Sequence, residues 1–274
     1  MFYFFFVFIL YFCNMKKFFL FAFFICLLFS CKQNDKNYST TSIVLTRFQK
    51  LIQQYPDSAG LRLRYVDVLD SLQQFALAQQ QMDSLIKKDG GNYGLWFRRG
   101  KLFESAKDTA NAIASYENAL KIYSSPEGQL TLANLLAEKK DKRALDICNN
   151  ILNLRMGRDY NANSFFISGV YYARKGNTAK ALQQFDECIF NNYNYMVAYM
   201  EKGFIFFDAQ KYDDALKVFS AAINVNNSYA DAYYWLAKCY EAKNEKQEAI
   251  KNYQTAWQLD STIKEASASI ERLK

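Results

Sequence analysis

Residues 93–119 read YGLWFRRGKLFESAKDTANAIASYENA. Trp96, Gly100 and Phe103 are spaced by four and three, and so are Ala112, Tyr116 and Ala119. Such spacings put side chains on one face of a helix. The pattern returns about every 34 residues, with a small residue at Val66, Gly100, Ala133, Gly169, Gly203 and Ala237. Alanine follows at Ala78, Ala112, Ala144, Ala181, Ala215 and Ala249, twelve residues on in most copies. An apolar residue lies four further along, at Met82, Tyr116, Cys148, Phe185, Phe219 and Tyr253. A period of this length predicts stacked helical hairpins. Gly100, Gly169 and Gly203 are expected where the two helices of a hairpin cross and a missing side chain permits close approach. Ala112, Ala181, Ala215 and Ala249 are expected to meet them from the second helix. Aromatic residues would fill the wedge between neighbouring hairpins.

Trp96-x-x-Arg99-Gly100-x-x-Phe103 followed by Ala112-x-x-x-Tyr116-x-x-Ala119 resembles the tetratricopeptide repeat signature. Similar copies start from Phe165, Tyr199 and Tyr233. Pro126 stands two places later than that family's closing proline. The resemblance extends over about 220 residues. It implies an all-α, right-handed superhelical solenoid of stacked antiparallel helix hairpins. Repeats fall near 59–92, 93–126, 127–161, 162–195, 196–229 and 230–263, within a solenoid spanning 42–274. A helix near 42–54, with Phe48 and Leu51 placed as in a second helix, reads as half a repeat. A polar helix over 264–273 reads as the cap that solenoids require. The third copy lacks both aromatics and departs in length, with 33 residues from Gly100 to Ala133 and 36 from Ala133 to Gly169. An irregular connection is therefore expected at Arg155–Tyr160.

Residues 15–31 read MKKFFLFAFFICLLFSC. Lys16 and Lys17 precede an apolar run of signal-peptide length. Leu28-Phe29-Ser30-Cys31 resembles the lipobox of bacterial lipoproteins. That resemblance implies cleavage after Ser30 and lipid attachment at Cys31, with residues 1–30 as leader and 31–41 as a polar tether. Residues 1–14 precede a second methionine, so Met15 is read as the true start. An uncleaved anchor over 1–30 would place two lysines in mid-bilayer, which is costly. The implied location is the bacterial cell envelope, at the outer membrane facing the periplasm.

The chain has 274 residues, 51% of them hydrophobic, and only two prolines, which suits helices. It has no histidine, which removes the commonest general base and the commonest metal ligand together. The formal charge is +7, without a basic stripe, so nucleic acid is not an expected partner. Cys13 and Cys26 lie in the leader, whereas Cys148, Cys188 and Cys239 fall at or beside core columns and read as small buried hydrophobes. Asp213-Asp214 opens a second helix, where carboxylates favour the helix dipole. Lys87-Lys88 and Lys139-Lys140 read as solvated helix ends. No constellation of nucleophile, acid and base emerges, so neither enzymatic activity, nor a cofactor, nor a metal is expected.

In the tetratricopeptide family the first helix of each hairpin lines a concave groove that takes peptides or helices. The resemblance places Leu63, Asp67, Asp70, Phe97, Lys101 and Glu104 there in early repeats. Later repeats place Phe166, Val170, Val197, Met200, Phe204, Phe207 and Tyr234 there. That second set reads as surplus to hairpin packing, hence as an exposed apolar patch for a protein or peptide partner. Coverage by the chain's own termini or by a dimer mate is the competing explanation. The function implied is a membrane-anchored scaffold or assembly factor of the envelope. The alternative is glycan or nutrient capture beside an outer-membrane transporter, but that build needs a large insertion for which this chain has no room.

Overall fold

A computed structural model describes residues 34–274, with side chains from Ser42 onward. The leader, Cys31 and the start-site reading at Met15 lie outside the described residues. Fourteen α-helices and no strands occur among the described residues, and the chain divides into two compact units at Lys88/Asp89.

The described part of the first unit holds α1 (Asn34–Gln54), α2 (Ala59–Ser71) and α3 (Phe75–Lys88). α1 reaches back from Phe48 over Asn34–Thr41, a segment that contains neither proline nor glycine. Phe48 stacks on Tyr65 of α2 with ring centroids 5.3 Å apart. α2 and α3 form a hairpin around Tyr65, Val66, Leu69, Ala78, Met82 and Leu85, all buried. Lys88, exposed at the end of α3, bonds Asp57 at 2.6 Å and the Pro56 carbonyl at 3.1 Å.

The second unit, Asp89–Lys274, stacks hairpins in sequence order. They are α4 (Tyr93–Ser105) with α5 (Thr109–Ile122), α6 (Pro126–Glu138) with α7 (Arg143–Asn153), and α8 (Arg158–Arg174) with α9 (Thr178–Asn191). α10 (Met196–Asp208) pairs with α11 (Tyr212–Val225), and α12 (Ala230–Ala242) with α13 (Lys246–Leu259), before the final α14 (Lys264–Leu273). The turns inside hairpins share one geometry across both units. Gln73, Lys107, Lys140, Gly176, Gln210 and Asn244 all take positive φ at the same register. Asn92, Asp108, Ser125 and Asn177 cap the helices that follow, each accepting a bond from a backbone N–H three residues on.

The glycines do sit at helix crossings, but against rings rather than alanines. A Cβ on Gly100 would lie 2.6 Å from the Tyr116 ring, and one on Gly169 would lie 2.5 Å from the Phe185 ring. Phe219 covers Gly203 in the same way. The alanine column is fully buried one turn earlier, where it brings the second helix close enough for the ring to reach. The ring's chemistry follows its partner twelve residues back. Tyr116 donates its hydroxyl to Glu104, and Tyr253 donates to Glu241 at 2.8 Å. Where the ring is Phe185 or Phe219, that position holds Ala173 or Phe207.

The irregular third repeat is resolved by trading helix length. α7 has 11 residues and α8 has 17, against 13 or 14 in the helices of the neighbouring hairpins. The connection covers 154–157, with Arg155 and Gly157 at φ 52° and 113°. It is shorter than expected because Arg158, Asp159 and Tyr160 form the added first turn of α8.

α14 caps the unit over the expected residues. Ala266 and Ile270 are buried against Ala249, Tyr253 and Ala256, and Arg272 bonds Glu241 at 2.7 Å. That bond holds the Glu241 carboxyl below its ordinary range. A carboxyl depressed in the folded state stabilises above the unfolded pKa, and the contribution disappears as pH falls through the folded value. Protection of the 264–273 amides, taken relative to the intrinsic exchange rate at each pH, is therefore expected to fall once pH drops below about 4.3, and Arg272→Ala should reduce that pH dependence. Unchanged protection across that range would remove the capping role of this pair.

Candidate functional site

The inner face of α4, α6 and α8 encloses an open pocket of about 590 Å³. Glu104 reaches it from α4. Glu127, Thr131 and Asn134 come from α6, and Asp159, Tyr160, Asn163 and Phe166 from α8. Tyr195, just before α10, closes the far side. Pro126 at the first position of α6 and the Ser125 cap start that helix one residue before Glu127. The added first turn of α8 supplies Asp159 and Tyr160. The length irregularity thus creates one wall of the pocket.

Hydrogen bonds between residues 32 or 33 apart, joining neighbouring hairpins, fix these side chains. Tyr160 donates to Glu127, 33 residues back. Tyr195 donates to Asn163 at 2.9 Å, and the Tyr93 hydroxyl lies 2.8 Å from Ser125 Oγ. Asn192 donates to Asp159 at 3.4 Å. The Tyr160 bond holds the Glu127 carboxyl below its usual range and raises the Tyr160 hydroxyl. Burial pushes the Tyr195 hydroxyl up to about 12, so it stays a neutral donor. Phe166 forms the apolar floor, 5.1 Å from the Tyr195 ring and 5.9 Å from that of Phe185. Three carboxylates and no lysine or arginine line the space. Such a wall of amides, hydroxyls and rings can hold an extended backbone by hydrogen bonds and take a side chain against Phe166.

The other residues assigned to the groove have different surroundings. Val170 and Met200 are buried. Phe204 packs on Trp235 at 4.6 Å, and Phe207 packs on the same ring at 5.3 Å. Tyr234 packs on Tyr253 at 5.6 Å, and Lys238 lies 5.2 Å above Trp235. Only Val197 of that set is exposed. These side chains are not surplus to packing: facing first helices of successive hairpins also bury surface, and Trp235 is large enough to bridge α10 and α12. Of the early set, Glu104 lines the pocket. Phe97 lies against Tyr116, and Lys101 over Phe97. Leu63, Asp67 and Asp70 belong to the first unit.

The remaining candidates have structural settings. Asp213 pairs with Lys243 at 2.6 Å, and Asp214 with Lys217 at 3.2 Å, at the start of α11. Cys148, Cys188 and Cys239 are free and buried, and burial pushes each thiol up to about 12. Arg174 bridges Glu138 at 2.9 Å and Glu201 at 3.1 Å, tying α6, α8 and α10 together. Among the described residues no group of three or more His, Cys, Asp or Glu side chains is placed to hold a metal, and no helix is long and apolar enough to cross a membrane.

Pairwise hairpins, glycine crossings and a 33-residue hydrogen-bond ladder define a helical-repeat protein. Models of the tetratricopeptide repeat match residues 63–126 and 231–260, and a further TPR repeat model matches 203–244. The fold resembles that of a tetratricopeptide repeat protein from Parabacteroides merdae ATCC 43184, with TM-score 0.65 and 13% identity, covering 86% of this chain and 93% of that one. It also resembles PilW, a widely conserved type IV pilus biogenesis factor, with TM-score 0.60 and 16% identity over 79% and 98% of the two chains. A thermophilic TPR protein of Thermus thermophilus aligns with TM-score 0.52 and 17% identity over 66% and 98%. No curated protein matches the chain.

Proposed function

We propose that this protein is a scaffold of the bacterial cell envelope, lipid-anchored through Cys31, that captures a segment of a partner protein in the pocket between α4 and α8. It acts by binding and not by chemistry. The observation that carries this reading is the pocket itself, whose polar walls are pre-ordered by the Tyr160–Glu127 and Tyr195–Asn163 bonds and whose floor is Phe166. Pre-ordering lowers the entropy lost when a flexible segment binds. Val197 is exposed on α10, whereas Val170 and Met200 are buried and contribute to packing. The leader and lipobox supply the membrane attachment, which raises the local concentration of the scaffold beside other membrane-bound components.

Affinity capture from envelope extracts with the full chain tests the site. Phe166→Glu and Asn134→Arg are each expected to reduce recovery of the same partner about tenfold or more. Undiminished recovery by both variants would remove the pocket from the account. Attachment is tested separately, by blocking lipoprotein signal peptidase with globomycin in the producing cells. A larger, unprocessed precursor is expected to accumulate, and a chain of unchanged size would exclude cleavage at Cys31.

A further inference from the structure

One edge of the second unit differs from the rest of its surface. The connections from each hairpin to the next emerge there, including 154–157 and 192–195. Every large hydrophobic side chain that is exposed in this unit lies in or within three residues of such a connection. The most open are Phe190 at 75% exposure, Tyr193 at 65% and Leu154 at 62%, with Met156 at 40%. The opposite edge, formed by the turns within hairpins, carries residues such as Lys139, Lys140 and Asp141. Apolar side chains gathered on one edge and left in water mark a contact surface.

Cations are interleaved with them. Arg155 and Arg158 flank Met156 on the 154–157 connection, and both are exposed. The Arg158 guanidinium lies 5.7 Å from the Phe190 ring and donates to the Phe190 carbonyl, which joins that connection to the end of α9. Exposed Lys121 and Tyr123 occupy the same corner of a preceding repeat. Of the carboxylates near these cations, Glu127 and Asp159 face the pocket, where Tyr160 and Asn192 engage them, and Glu117 pairs with Arg143; Asp89 and Asp260 lie on other connections of the same edge. Glu187 lies one turn back on α9.

We propose that this edge rests on an anionic lipid surface. Aromatic and aliphatic tips suit the boundary between headgroups and acyl chains, and arginines suit the anionic headgroups above it. The choice of a membrane over another protein rests on the envelope anchoring proposed above. Asp159 and Tyr160 follow directly on Arg158, so a docked edge holds the pocket beside the headgroups.

Hydroxyl-radical footprinting of the full chain tests this, with Met156 and Tyr193 as natural probes. Vesicles of phosphatidylcholine alone are compared with vesicles that also contain phosphatidylglycerol. Reactivity at both probes is expected to be about fivefold lower or more on the anionic vesicles. Tyr212, at the opposite edge, should not change. Arg155→Glu combined with Arg158→Glu should restore reactivity, and high salt should do the same in the unaltered chain. Equal reactivity on both kinds of vesicle overturns the proposal. Protection on phosphatidylcholine alone that grows with protein concentration also overturns it, by assigning the edge to a second copy of the chain. Flotation reports the anchor independently: a chain that floats with anionic vesicles only while Arg155 and Arg158 are present supports the edge and removes the anchor.

Discussion

Gly169→Ala is expected to destabilise the protein by about 3 kcal/mol. The added methyl would sit 2.5 Å and 2.7 Å from two carbons of the Phe185 ring. That ring is fully buried, with Phe166 packed beside it at 5.9 Å, so it has little free space to enter. Overpacking of this kind displaces backbone or forces a strained rotamer. Stability in a helical-repeat array is built from local terms and neighbour interfaces. The change should therefore be read both as a lowered unfolding midpoint and as faster amide exchange in α8 and α9. Phe185→Leu in the same chain should recover part of the loss, because the shorter side chain vacates the space the methyl needs. Gly60→Ala is the matched control. Nothing lies within 4 Å of its added methyl, and alanine is the better helix former. A Gly169→Ala protein as stable as the Gly60→Ala protein would show that the ring does not seal that crossing.

Phe219→Ala is expected to cost about 4 kcal/mol, the usual range for emptying a buried aromatic site. Its ring lies 6.1 Å from Phe204 and 6.3 Å from Trp235, and Trp235 in turn contacts Phe207 and Tyr234. The cavity would leave that aromatic set without its base. Denaturant unfolding followed by tryptophan fluorescence should show a lower midpoint and a native spectrum shifted toward that of exposed indole. A spectrum and midpoint like those of the unaltered chain would mean that α10 and α12 are held together without this ring.

The residues that carried the repeat pattern also carry the hairpin packing. Gly100, Gly169 and Gly203 are legible because a residue without a side chain in a helix interior needs a reason, and close crossing is one. The capping helix is legible because its polar face follows the last full copy. The partner of each glycine was less plain. Spacing showed that the alanine and the ring share one face of the second helix, yet it did not reveal which of them reaches across. The aromatic residues near α10 look like open surface from sequence, because filled columns account for contacts within a hairpin and not for those between neighbours. Trp235 makes those contacts, and it lies one place beyond the expected groove position at Tyr234.

The pocket was the least legible feature. Phe166 and Glu104 line the pocket, but most of its other walls come from the copy that departs from the pattern. The 36-residue spacing from Ala133 to Gly169 was visible as an irregularity. Whether extra residues loop out or lengthen a helix depends on what they can bond to. Here Tyr160 reaches Glu127 and Asp159 meets Asn192, which holds the added turn helical.

Site-specific photo-crosslinking in the producing cells tests the central claim most directly. The photoreactive side chain is placed at Thr131 or Asn134 in the pocket, or at the exposed Gln183 on α9. Both pocket positions are expected to join to one and the same protein, and Gln183 to none. Crosslinks from Gln183 alone, with none from the pocket, would contradict the account.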